Sequence, residues 1–412
     1  MLDAAPLVLA LAGLSLYVVL GGADFGAGWW QLASGRGERG TAIREHAHEA
    51  MAPVWEANHV WLIFVLVVMW TCYPVAFGSI VSTLAVPLFI AAVGIIFRGT
   101  AYALRAGTTR AGEQRTVDTV FGVASVLTPF ALGTVVGAIA DGAVPVGNAA
   151  GDLWSSWTGA LPLTIGVLAV ALGAYLAAVY LAADAVRRGS AELEGAFRAR
   201  ALAAGVVAGA LAVAGLLVVR ADARALFDDL VGDGLPALLV SGAAGVGTLA
   251  LVWTRRYEAA RYSAALAVAA VVAGWAVAQA PDLLPGLTVS QAAASHDVLV
   301  AVLVSVAGGA VLLAPSLAFL FTLTLRGRLG YEESDADRVQ ATPVSAGPAA
   351  ALAPSRPGLL ARVALACLVL TLGFLTLADA GWAHAVGVLT LFAAIVTGFR
   401  AALPVDEPAG AE

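Results

Sequence analysis

Lysine is absent from this 412-residue chain: all 22 basic residues are arginine. Charge of either sign is scarce, at 12% of residues, and sums to a formal net charge of -6. The arginines sit in short segments between apolar runs rather than in a stripe interleaved with aromatics, so nucleic-acid binding has no support. Cysteine is nearly missing. Cys72 and Cys367 stand far apart, which argues against a disulfide framework and against a cysteine-ligated metal site. Five histidines and three methionines are too few and too scattered to make a haem site within the chain. Period-two alternation is also lacking, and with it the signature of a membrane β-barrel.

What is abundant is apolar: 60% of residues are hydrophobic, and the mean hydropathy is +0.89. This is the composition of an integral membrane protein. Eleven stretches approach the ~20 residues that cross a bilayer as helix: 5–30, 56–75, 79–98, 118–139, 160–183, 201–219, 235–254, 262–280, 297–325, 359–378 and 382–400. The first resembles the core of a signal peptide, but no basic residue precedes it and the run continues past residue 20, so it reads as an uncleaved span. With the N-terminus outside, twenty of the 22 arginines fall on the inner side, and only Arg220 and Arg224 fall outside. Positive charge is retained on the inner face of membranes, so this distribution predicts an N-out, C-in orientation.

The expected fold is an all-α polytopic membrane protein in three parts. Residues 1–325 form a nine-span core, read as two four-helix bundles plus a peripheral helix. Residues 326–358, rich in Pro, Ala, Ser and acidic side chains, read as a flexible inner-side linker. Residues 359–412 hold a transmembrane hairpin, broken at Asp379–Trp382, and a short tail. No motif of residues 1–139 recurs in 160–280. Closely spaced small residues, Gly205, Gly209, Gly242 and Gly245 among them, indicate near approach of helix backbones and carry no functional information.

Chemistry concentrates in the first hundred residues. The segment from Pro53 to Trp61 places Glu56, Asn58 and His59 between Trp55 and Trp61 at the mouth of an apolar run. An ionisable group at a span centre costs roughly 3 kcal/mol on insertion scales, so such groups face a bundle interior, a partner or a water path. A carboxylate among apolar neighbours is the group type that exchanges protons near neutral pH, which makes Glu56 a candidate for proton transfer. It could equally pair with an arginine or with His59. Asn58 and His59 could extend a hydrogen-bond chain or be satisfied by neighbouring helices. Asp24, in the glycine-rich Gly21–Gly28, is a candidate for proton transfer or for an interface, against solvation or pairing with an arginine at the span end. Arg98 is read either as a counter-ion to Asp24 or Glu56, or as a side chain snorkelling to the inner surface. Trp55, Trp61 and Arg98 form a weakly marked haem or quinone environment. Asp118, Asp141 and Asp184 lie near predicted span ends, where solvation accounts for them. No metal site is expected, since His59 has no partners at ligand spacing.

The order of these motifs resembles subunit II of the cytochrome bd-type quinol oxidases, over roughly residues 10 to 325. That family carries Gly-Phe-Asp-Leu-Gly at the end of its first span, where this chain has Gly22-Ala23-Asp24-Phe25-Gly26. It carries Pro-x-Trp-Asp-Gly-Asn-x-Val-Trp at the second, a frame kept by Pro53 to Trp61. Phe97-Arg98 matches a family Phe-Arg, and Leu127-Thr128-Pro129-Phe130 with Gly133 and Gly137 resembles the fourth span. The departures are Glu56 for Asp, Ala57 for Gly and Ala23 for Phe, so the second motif keeps its carboxylate on a longer arm. The resemblance implies a non-haem subunit of a quinol:dioxygen oxidoreductase in the bacterial cell membrane. Its partner would be a haem-bearing subunit I, with haem b and haem d expected there, membrane lipid around it, and quinol and dioxygen as substrates of the complex. It also implies proton delivery through Glu56 and allows a structural quinone. The hairpin lies outside the family pattern. Two other readings stand beside this one: a proton-coupled secondary transporter using Asp24, Glu56 and Arg98, although inverted repeats and paired broken helices are not visible, and a purely structural membrane scaffold.

Overall fold

A computed structural model of the chain describes residues 2–35, 37–51, 55–105, 107–108, 111–325, 359–376 and 381–402. The predicted linker, 326–358, lies outside the described residues. The chain divides into two compact units, Met1–Thr322 and Leu323–Glu412.

The first unit is helical, with one two-stranded hairpin. After a 3-10 turn at Leu2–Ala4, the first span comprises α1 (Ala5–Leu16), a π-helical turn at Tyr17–Gly21, and α2 (Gly22–Leu32). Then follow α3 (Gly37–Met51), α4 (Trp55–Cys72), α5 (Pro74–Thr83), α6 (Ala85–Arg105), α7 (Ala111–Ala140), α8 (Ala160–Arg187), α9 (Ala191–Asp222) and α10 (Arg224–Val231). The unit is completed by α11 (Leu235–Trp253), α12 (Tyr257–Gln279), antiparallel strands β1 (Asp282–Leu284) and β2 (Leu287–Thr288), α13 (Val289–Ala292) and α14 (His296–Leu325), whose last residues run into the second unit. That second unit contains the helices α15 (Leu359–Thr376) and α16 (Gly381–Ala402), joined side by side through the Thr371 and Thr390 hydroxyls at 3.0 Å.

All-helical architecture follows from the bilayer, where every backbone polar group needs an internal partner. Seven helices among the described residues are long and apolar enough to cross a membrane. The second and ninth predicted spans are present as helices α4 and α14, whose described apolar stretches, Asn58–Cys72 and His296–Val311, are shorter. The third predicted span, 79–98, is divided differently: α5 ends at Thr83, and α6 runs seven residues beyond Arg98 to Arg105. Proline at the first position of α5 explains its separate start, because Pro74 lacks the N–H that would continue α4.

The main core forms around α8, whose stretch from Leu176 to Ala183 is buried on almost every side. A helix apolar all round belongs at the centre of a bundle. Its neighbour α2 comes close because Gly26 faces Gly173, where an added Cβ would overlap the Gly173 carbonyl. A second core, around Tyr73, Leu84, Leu284 and Leu299, ties the strands and α13 to the ends of α4 and α5. Opposite this end, one face gathers the arginines: Arg188 bonds Glu49 of α3, and Arg187 bonds Glu258 of α12 at 3.0 Å.

Candidate functional site

Asp24 stands in the first turn of α2, and Arg98 lies inside α6. Both are 1% exposed. Their side chains meet fork to fork: Arg98 Nη1 donates to Asp24 Oδ2 and Nη2 to Oδ1, each at 2.7 Å. Nη2 also donates to the Asp24 carbonyl at 3.2 Å, and Nε donates to Ser125 Oγ at 2.9 Å. Ser125 Oγ in turn donates to the Phe121 carbonyl one turn back along α7 at 2.7 Å. The guanidinium carbon sits 4.9 Å from the ring centre of Phe25 and 4.5 Å from that of Phe121. Four hydrogen bonds and two aromatic faces therefore replace the water an arginine would otherwise hold. The two readings left open for Arg98 are decided: it is the counter-ion of Asp24, and it does not snorkel.

Close helix approach makes this possible. A Cβ at position 28 would collide with Ser125, so Gly28 is what lets α7 bring the serine to Arg98. The pair thus bolts α2 to α6, and Ser125 adds α7.

Asn58 and His59 come to the neighbouring side of α2. Asn58 is buried, and its Nδ2 donates to the Leu20 carbonyl within the π-helical turn at 3.3 Å. Such turns distort the regular ladder and leave carbonyls to be satisfied by side chains; they recur at functional sites. The His59 ring lies 6.2 Å from Tyr17 and 6.0 Å from Phe25, and the Tyr17 and Phe25 rings meet edge-on at 6.5 Å. Phe25 consequently touches the ion pair on one side and the Tyr17–His59 pair on the other. Trp55 and Glu56 begin α4, and their side chains lie outside the described residues. Trp61 is half-buried, and the described contacts do not join it to the pair.

Ser125, Phe25, Phe121, Tyr17 and the Leu20 carbonyl were not singled out in the sequence. A serine or phenylalanine in an apolar run carries no signal, and a π-helical turn has no sequence mark of its own. Two aspartates assigned to solvation prove to be paired. Asp118 meets Arg105 at 3.1 Å, and Asp184 meets Arg187 at 3.2 Å and Arg188 at 2.9 Å, with His46 at 3.9 Å. Their positions near span ends put arginines within reach, and side chains that are only 17% and 19% exposed need those partners.

The described histidines are seated against protein groups. The His46 ring is held at 3.1 Å by the Leu181 carbonyl and packs on Phe197 at 5.4 Å. His48 packs against Tyr102 at 5.4 Å and His59 against Tyr17 and Phe25, while His296 is exposed. Among the described residues, no three His, Cys, Asp or Glu side chains converge as a metal site. Cys72 and Cys367 are free thiols.

The family model for cytochrome bd terminal oxidase subunit II matches residues 3–324 of the chain. Among solved structures, the chain is similar to a chain in the structure of bd oxidase from Geobacillus thermodenitrificans, with 24% identity and a TM-score of 0.62, over 79% of this chain and 98% of that one. At this identity the likeness speaks for the fold. No curated protein matches the sequence.

Proposed function

We propose a function from the premise that the chain belongs to the family of cytochrome bd terminal oxidase subunit II, whose model covers residues 3–324 of 412. The protein is read as the non-haem membrane subunit of a respiratory oxidase, standing beside a haem-bearing subunit I. In that partner, quinol reduces dioxygen to water; electron transfer and oxygen chemistry are assigned there, and haem b and haem d with them. Family membership also removes the ground for a transporter reading of the polar cluster.

The observation that carries the reading is the buried Asp24–Arg98 pair, set beside Asn58 and His59 on the first turns of α4. Asp24, Asn58 and Arg98 stand at polar positions of three motifs that resemble the family's, His59 stands at a variable position of the second, and the four lie in one region. The bidentate pair fixes α2 against α6 and α7 and gives that region a rigid wall. Asn58, tied to the Leu20 carbonyl, fixes the register of α4 against the π-helical turn. Glu56, two residues before Asn58, is the group we assign to proton delivery. Its carboxylate would take up a proton and pass it toward the partner, while the Asp24–Arg98 pair stays bonded and holds the helices.

The test is a pair of substitutions in the assembled, haem-replete complex. General acid–base groups typically supply about 10²–10⁴-fold, so Glu56→Gln should lower turnover at least tenfold. Glu56→Asp restores the residue of the family motif and should retain most of the activity. Unchanged turnover in Glu56→Gln would leave this chain a scaffold without a proton role.

The N-out, C-in orientation, supported by the arginine distribution, belongs to the same proposal. So does the division into a core of residues 1–325, a linker and a hairpin. The α15–α16 hairpin is assigned to packing on the oxidase complex in the place of a separate small subunit. Tethering would raise the effective concentration of a weakly bound helix pair.

A further inference from the structure

On the arginine-rich face, where α8 ends and α12 begins, there is an open hollow of about 350 Å³. Three arginines line it, Arg187, Arg255 and Arg256, against one carboxylate, Glu258, while Ala183 and Val186 make an apolar wall. Carboxylates stand close to two of these arginines. Arg187 is engaged by Glu258 at 3.0 Å and Asp184 at 3.2 Å, and Arg255 lies 3.7 Å from Glu194. Arg256 forms no ion pair or side-chain hydrogen bond among the described residues.

The backbone of this arginine pair is unusual. α11 closes with Arg255 N–H bonded to the Val252 carbonyl at 3.1 Å and Arg256 N–H bonded to the Leu251 carbonyl at 2.8 Å. That pattern places a left-handed residue just past the helix, where glycine is the ordinary choice. Here it is Arg255, at φ +59°. The chain keeps a strained arginine where glycine would fit without cost, and strain of this kind collects at ligand sites.

Depth is set by the aromatic residues. Trp253, 66% exposed, carries the Arg198 guanidinium over its ring at 5.1 Å, and Tyr262 is 78% exposed on the other side of the loop. Exposed Trp and Tyr at span ends mark the level of lipid headgroups. Exposed Trp253 and Tyr262 thus put the arginines within reach of lipid phosphates.

We propose that this hollow binds the phosphodiester of an anionic phospholipid, such as phosphatidylglycerol. Arg255 and Arg256 hold the phosphate oxygens, for which the planar guanidinium fork is suited, and the glycerol and first methylenes lie on the exposed Val186. Glu258 on the rim disfavours a second negative charge, so a monoanionic diester is preferred to free phosphate. The cation left over at Arg256 favours an anionic headgroup over a zwitterionic one. The site does not depend on the role assigned to Glu56.

The experiment uses the assembled complex, stripped of lipid in mild detergent and titrated with phosphatidylglycerol, phosphatidylethanolamine or inorganic phosphate, with bound lipid counted by native mass spectrometry. Each arginine near a membrane surface is worth about 1 kcal/mol, or about fivefold in affinity. Arg256→Gln should weaken phosphatidylglycerol about fivefold. Arg255→Gly should do the same while leaving the thermal midpoint near that of wild type, since relief of the left-handed backbone offsets the lost 3.7 Å contact with Glu194; that variant separates lost lipid from lost folding. Arg220→Gln, in a different loop, should bind as wild type. Equal affinity for phosphatidylethanolamine, full occupancy by inorganic phosphate, or wild-type lipid binding by both Arg255→Gly and Arg256→Gln would overturn the assignment.

Discussion

Breaking the Asp24–Arg98 pair from either side should cost far more than two ordinary hydrogen bonds, and removing both charges should cost little more than removing one. Two unit charges about 4 Å apart at an effective dielectric near 20 attract by about 4 kcal/mol. Neither group has water to fall back on, each being 1% exposed. Asp24→Asn keeps the shape of the side chain and one acceptor oxygen, but it removes the compensating charge and turns an NH2 donor toward the Arg98 cation. The expected loss is about 3–5 kcal/mol, the usual cost of stranding a buried charge. Arg98→Gln strands Asp24 and should cost a similar amount. The double variant Asp24→Asn, Arg98→Gln strands no charge, and its amide groups can still bond to one another and to Ser125. Its loss should therefore be close to that of one single variant, leaving a coupling of about 3–4 kcal/mol across the cycle. The assay is an SDS titration of the assembled complex, with helix content and complex size as parallel readouts. Since whole domains are held by only about 5–15 kcal/mol, assembly yield should fall visibly in both single variants and fall little further in the double. Losses that add to within about 0.5 kcal/mol, or single variants each costing under about 1 kcal/mol, would refute the treatment of the pair as a dry, mutually dependent unit.

Two further outcomes follow from the same structure. Burial of His48 beside Tyr102 and Phe121, reinforced by the Arg105 cation and opposed by Glu49, pushes its imidazole down to about 4. The unfolded chain then binds this proton more readily than the folded one, so the site costs nothing above pH ~6.5 and destabilises as pH falls toward 4. Because the ring is partly exposed, the cost is discounted to about 1–2 kcal/mol. His48→Gln should flatten the fall in thermal midpoint between pH 6.5 and 4.5, and an unaltered slope would assign that fall to other groups. Deleting residues 340–412 should lower the yield of assembled oxidase while leaving spectra and turnover of the remaining complex intact; an undiminished yield would rule out the assembly role of the hairpin.

Much of the fold was legible because hydropathy is enforced residue by residue. A bilayer offers the backbone no water, so apolar runs near the required length must become helices, and arginines must wait at their ends. The third span shows where this fails: hydropathy is continuous across Pro74 and Leu84, whereas the missing N–H of Pro74 and the turn at Leu84 cut the run into α4, α5 and α6. The amphipathic α3 was passed over because it buries Ile43, His46 and Ala47 while remaining polar in composition.

The candidate site divides in the same way. Asp24, Arg98, Asn58 and His59 announced themselves by being polar within apolar runs, since such groups must find partners. Which partner each one found was decided only by the packing of helices. Arg98 chose Asp24 across 74 residues because Gly26 and Gly28 let α8 and α7 close on α2 and bring Ser125 up behind the guanidinium. Phe25 and Phe121 became walls of that pocket only through the same approach, and the π-helical turn that offers Leu20 to Asn58 is set by how α1 and α2 join. The sequence by itself therefore determined that this chain crosses a membrane as helices and carries a costly polar cluster in its first hundred residues. The tertiary structure decided how that cluster is neutralised, because hydrogen bonds and ion pairs act over about 3 Å and depend on contacts between helices that no periodicity along one helix specifies.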